Sequence, residues 1–149
     1  MKQKRIRITI FVLNMLLALT AIAGGIGLVA GGIAVPLNWL QGSPFNDYTI
    51  PGLALAIIVG GGSLFAAITI LTGSEAGVLA SALAGLFIIG FESVEVAVID
   101  RFGGSWLLLA VVLQAVYMAL GLVIFGLSTF LWMAEFRGQH FAARQASHS

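Results

Sequence analysis

The chain contains no cysteine, and it has only 7 Lys+Arg and 6 Asp+Glu among 149 residues. The first absence excludes disulfides, thiolate metal sites, iron–sulfur clusters and cysteine nucleophiles. The second excludes a soluble domain. Such domains carry about 25% charged residues, and 9% here cannot cover a water-facing surface. Intrinsic disorder needs low hydrophobicity with high charge, whereas 60% of these residues are hydrophobic and the mean hydropathy is +1.07. The class that remains is an integral membrane protein. Proline is scarce too: Pro36, Pro44 and Pro51 are the only three.

A helix needs roughly 20 apolar residues to cross a hydrocarbon core about 30 Å thick. Four segments meet that length, at about 8–35, 52–71, 76–99 and 106–133, leaving 134–149 as a tail. They form a single integral membrane domain over 1–149, and no cofactor is expected. Proline is excluded from helix interiors, so the stretch holding all three prolines reads as the connection between the first two spans. The short stretch 72–75 makes spans two and three antiparallel neighbours. There Ser74 is placed to cap the third span, and Glu75 suits the positive end of its dipole. The paired glycines at 103–104 permit the third reversal.

The fold expected is therefore all-α, a four-helix transmembrane bundle running up-down-up-down. Its orientation follows from Lys/Arg asymmetry. Lys2, Lys4, Arg5 and Arg7 precede span one and Arg137 and Arg144 follow span four, six on one side against Arg101 alone on the other. Both termini are then cytoplasmic and the proline loop faces outward. The competing pattern is a signal peptide, with a basic start, an apolar run and Ala21-Ile22-Ala23. The apolar run continues through Val35, which favours a retained span.

Helices in lipid adhere mainly where small residues let backbones approach. The 19 glycines fall repeatedly at four-residue spacing. The expected packing stripes are Ala23, Gly27 and Gly31 in span one, Gly52, Ala56 and Gly60 in span two, and Gly77, Ser81 and Gly85 in span three. Gly60-Gly61-Gly62 resembles a phosphate loop only superficially, because no Lys-Ser/Thr follows; it reads as a packing or bending site.

Few side chains are available for chemistry. Glu92 and Glu95 share a face of span three at i and i+3. A carboxylate in hydrocarbon costs about 2.5–3.5 kcal/mol, so the pair is a proton or cation site, an interfacial, solvated end of the helix, or a partner of Arg101. Gln114 and Tyr117 share a face of span four, and Gln114 is within reach of Glu92 across the helix pair. Ser63 and Thr20 sit at similar depth and complete a candidate polar cavity. Asp47 lies in a loop with Trp39, Phe45 and Tyr48, read as an aromatic belt or as a lid over the acids. His140 and His148 are eight residues apart in the tail, a poor metal site. No Ser/His/Asp set falls on one side of the membrane, so no catalytic residue and no enzyme is expected.

Gly42 to Gly52 (Gly-Ser-Pro-Phe-Asn-Asp-Tyr-Thr-Ile-Pro-Gly), with Gly60-Gly61-Gly62, the Glu92-Ser-Val-Glu-Val96 segment and the Tyr117–Leu122 stretch, resembles small four-span bacterial membrane proteins of no assigned activity. The resemblance implies a bacterial plasma (inner) membrane location and no particular chemistry. The function expected first is a small non-enzymatic membrane protein acting through helix association, as an accessory subunit or homo-oligomer. The alternative is a proton- or cation-coupled transporter using Glu92 and Glu95. Expected partners are the lipid bilayer and a membrane-protein partner or a second copy of the chain, with no nucleic acid.

Overall fold

The computed structural model describes residues 2–98 and 107–139. Every regular element in them is helical: α1 (Lys2–Val29), a 3-10 turn (Leu37–Leu40), α2 (Thr49–Leu53), a π-helical segment (Ala54–Gly61), α3 (Gly62–Ile70), α4 (Glu75–Val98) and α5 (Leu107–Glu135). α2, the π segment and α3 follow one another without a gap. Four helices are thus long and apolar enough to cross a membrane: Lys2–Val29, Thr49–Ile70, Glu75–Ala97 and Leu108–Glu135.

The ends of these rods differ from the hydropathy reading for local reasons. The first span begins in the basic flank, because Lys and Arg are good helix formers, and ends at Val29 rather than near Val35. Gly31 adopts φ 68, and the N–H groups of Gly32 and Ile33 both donate back to the Gly27 carbonyl, at 2.9 and 3.1 Å. A left-handed glycine closing the last turn in this way terminates a helix. The second span begins at Thr49, so Pro51 lies in its first turn and not in the connection. That position needs no N–H donor, so proline is tolerated there. The fourth helix continues past Met133 to Glu135.

Neighbouring helices pair through glycine. Gly25 of α1 is pressed against the Gly52 carbonyl and Ala56, and Gly60 against Ala18 and Ile22. Gly77 of α4 is pressed against Thr69 and Ile70. A Cβ on Gly85 would lie 2.8 Å from both the Gly121 carbonyl oxygen and the Phe125 nitrogen of α5. In each seam the numbers rise along one helix as they fall along its neighbour. The hairpin between α3 and α4 is closed by Gly73 at φ 75 and by Ser74, whose Oγ accepts the Gly77 N–H at 3.2 Å.

Of the small-residue stripes, the one expected in span one is displaced. Ala23 is exposed and Gly31 lies beyond the helix. Gly27 faces Ile33 of its own returning loop, where an added Cβ would be 2.7 Å from Ile33 Cδ1. Gly25 makes the interhelical contact instead. Gly52, Ala56 and Gly60 do face α1, and Gly77 and Gly85 do face neighbours. Within the glycine triplet only Gly60 is in close contact; Gly61 and Gly62 have ordinary clearance.

Two buried apolar clusters lie one above the other along the bundle. One joins Ile10, Ile70, Val78 and Leu131; the other joins Leu17, Ala21, Val59, Ile88 and Ile124. Beyond the first cluster, Arg7 closes that end. Its guanidinium pairs with Glu135 and donates to the carbonyls of Ile70 and Gly73, each at 3.2 Å. The indole Nε1 of Trp132 donates to Glu75 Oε1 at 2.7 Å beside it.

The Gly85–Gly121 seam yields a paired prediction. Gly85→Ala forces backbone apart and is expected to cost about 1–3 kcal/mol. Gly90→Ala, in the same helix with nothing within 4 Å, is expected to be neutral or stabilising by up to about 1 kcal/mol. Thermal melts by circular dichroism in one detergent separate the two; equal midpoints for both variants would contradict the seam.

Candidate functional site

The register of the α4–α5 seam sets the geometry of the acidic pair. Gly85 meets Gly121 and Phe125, and Gly121 meets Ile88 and Ile89. Continuing the antiparallel count one turn at a time brings Glu92 opposite Tyr117 and Glu95 opposite Gln114. Glu92 is 3% exposed, so the solvated, interfacial alternative does not describe it. Its Oε2 has no hydrogen-bond partner among the described residues. Glu95 is half-buried, one turn further along the same face.

Gln114 lies beside Glu95 rather than in the expected bond to Glu92. Its Nε2 is buried and makes no well-aligned hydrogen bond among the described residues. Tyr117 and Phe91 pack together against the cluster of Leu17, Val59 and Ile88, forming the apolar floor beneath the acids. The other members of the expected cavity go elsewhere. Thr20 is exposed and bonds its own helix at the Leu16 carbonyl, 2.8 Å away. Ser63 is fully buried on the far side of that apolar floor.

The loop read as an aromatic belt or as a lid over the acids supplies a further residue. Tyr48 stands beside Glu95, and its hydroxyl donates to the Pro36 carbonyl at 2.9 Å. Burial first, and the Glu95 carboxylate second, push its phenol above the ordinary value. Trp39 and Leu40 are buried in the same loop. Asp47 does not serve as a third carboxylate in the interior. It is exposed, and its Oδ1 accepts the Thr49 N–H at 2.9 Å, which holds its carboxyl below the ordinary value and fixes the entry to α2. Asp100, Arg101, His140 and His148 lie outside the described residues.

Sequence reasoning also missed the contacts Arg7–Glu135 and Glu75–Trp132. The signal was available: an even number of spans returns the end of the last one to the side of the first, where Glu135, the acid that closes the last span, meets the basic flank.

Chemically, the site offers one deeply buried carboxylate, a second one turn away, an amide donor and a phenol. Such a set can exchange a proton or hold a small cation. Among the described residues no group of three or more His, Asp and Glu side chains could hold a metal ion. Comparison with family models, curated proteins and solved structures yields no match to the chain.

Tyr48 carries a pH prediction. A phenol whose folded pKa exceeds its unfolded value contributes stability that is complete below the unfolded pKa and is lost as pH rises through the folded one. For Tyr48, shifted upward from 10.0, the loss falls in the alkaline range. The thermal midpoint should therefore drop more steeply above about pH 10 in the parent than in Tyr48→Phe. Parallel curves would refute the contribution.

Proposed function

We propose that the protein is a non-enzymatic, proton- or cation-binding component of a bacterial plasma membrane, working through Glu92 with Glu95 as its neighbour. The observation that carries this reading is the burial of Glu92 at 3% exposure in the last third of α4, with an unpartnered carboxylate oxygen. A carboxylate in a membrane interior is costly and marks ion or proton pathways. The glycine stripes, by contrast, are occupied within the chain, so they serve its own folding before any association with a partner.

The bundle runs up-down-up-down in this proposal, with both termini cytoplasmic and the acidic pair near the outer surface. Charge supports that orientation. All Lys and Arg among the described residues, namely Lys2, Lys4, Arg5, Arg7 and Arg137, lie at the end where Arg7 meets Glu135. The opposite end carries Glu95 and Asp47 and no described cation. The bacterial setting rests on the resemblance of the Gly42–Gly52 segment. In proteoliposomes, Glu92→Gln is expected to reduce proton-dependent flux to background while the helical content is kept. Undiminished flux in the variant, or none in the parent, would overturn the proposal.

A second reading, helix association, is favoured by α5. Only 11% of its apolar window is buried, against 28%, 33% and 39% in the other three spans. Leu108, Val112, Val116 and Val123 are exposed along it. A homo-oligomer built on this helix predicts that single cysteines at Val112 or Val116 cross-link between copies in membranes, while one at Leu19 of α1 does not. Equal cross-linking at all three would count against a specific α5 interface.

A further inference from the structure

Between the two apolar clusters lies a set of polar side chains that the acidic pair does not use. Asn14, Ser63, Ser81 and Ser128 are all at 0% exposure, one from each spanning helix. Asn14 Oδ1 and the three serine Oγ atoms have no hydrogen-bond partner among the described residues. Their positions follow from the residues that bracket them. Asn14 falls between Ile10 and Leu17, Ser81 between Val78 and Ile88, Ser128 between Leu131 and Ile124, and Ser63 between Ile70 and Val59. At about 1.5 Å per residue, the first three lie roughly 5–6 Å above the lower cluster and Ser63 about one turn higher.

The exposed hydroxyls behave differently. Thr9, Thr20, Thr69 and Ser93 each bond the carbonyl four residues back, at 3.1, 2.8, 2.8 and 2.7 Å. A hydroxyl facing lipid must be satisfied by its own helix. Ser63, Ser81 and Ser128 make no such bond, although the same kind of carbonyl is available to each. Asn14 uses only its amide, whose Nδ2 donates to the Ile10 carbonyl at 3.1 Å. These oxygens are therefore buried away from solvent, free of their own helices, and without a hydrogen bond to one another.

We propose that this layer is an occluded binding site for water, with Asn14 Oδ1, Ser81 Oγ and Ser128 Oγ as its principal partners and Ser63 Oγ as a further one. Several features select a neutral ligand that both donates and accepts. Buried polar groups that make no direct hydrogen bond are characteristically bridged by water, which takes two to four partners. Asn14 Oδ1 can only accept, whereas the hydroxyls can do either. Among the described residues no acidic side chain lies in the layer to balance a cation, and an unbalanced charge in an apolar interior is strongly disfavoured. The site is distinct from Glu92, which lies beyond the upper cluster. It holds whether or not Glu92 transports anything.

The full chain in lipid nanodiscs, labelled with 15N-asparagine, provides the test. Its three asparagine side chains are Asn14, Asn38 and Asn46, so Asn14 is identified by its loss in Asn14→Leu. Magnetization transfer from water to the Asn14 amide is expected despite its complete burial; absence of transfer overturns the proposal. The thermal midpoint of Ser81→Ala supplies an independent sign. Loss of a water-bridged hydroxyl lowers the midpoint by about 2–4 °C, while removal of a merely orphaned hydroxyl raises it or leaves it unchanged. A rise or no change therefore overturns the assignment. Ser128→Ala is read in the same way if Ser81→Ala does not fold, and the Asn14 measurement needs no serine variant. In the Glu92→Gln variant, where the acidic pair no longer offers its buried carboxylate, a midpoint that still climbs with sodium or potassium chloride but not with choline chloride would place a cation in the layer and overturn the neutral ligand.

Discussion

The structure depends on backbone contact between helices at glycine. In lipid the apolar side chains gain little by leaving their surroundings, so cohesion comes from how closely two backbones can approach. Gly25 on Gly52, Gly60 on Ala18, Gly77 on Thr69 and Gly85 on Gly121 make that approach in every sequential pair of spans. Each contact fixes a register as well as a distance. The register at Gly85 and Gly121 is what carries Glu92 to Tyr117 and Glu95 to Gln114. The position of the acidic pair is thus a consequence of where two glycines fall.

The long axis of the bundle alternates in polarity. Arg7, Glu135, Glu75 and Trp132 close one end with charge-assisted contacts. An apolar cluster follows, then the oxygens of Asn14, Ser63, Ser81 and Ser128, then a second apolar cluster, and finally Glu92 with its neighbours. Stacked barriers of this kind leave polar compartments out of contact with one another. They give the protein two separate interior environments, one neutral and one acidic, within a chain of 149 residues.

Much of this was legible in the sequence because membrane spans are encoded by length and hydropathy, both of which are local. The four spans, the turn at Ser74 and the isolation of Glu92 and Glu95 are read that way. Span ends are harder. Whether Gly31 continues a helix or closes it turns on its φ, which hydropathy does not record, and a proline at 51 looks like loop until the helix start at Thr49 is known. The interhelical face was misread in span one because a four-residue repeat drifts around a 3.6-residue helix. Gly25, outside the chosen repeat, points at span two, and Gly27 does not. The shared placement of Asn14, Ser63, Ser81 and Ser128 is not marked in the sequence, for a further reason. Their significance lies in what surrounds them, and nothing along the chain marks Ser81 apart from the exposed Ser93.

Arg7 has a consequence in time. Its partner Glu135 is 128 residues downstream, so a growing chain carries an uncommitted guanidinium at its start until the last helix has been made. While uncommitted, that charge belongs to the basic first turns of α1, with Lys2, Lys4 and Arg5. Once Glu135 arrives, the same group becomes the latch that joins the first and last helices and covers the exposed carbonyls of Ile70 and Gly73. The contact between α1 and α5 thus forms only after the intervening spans have been made.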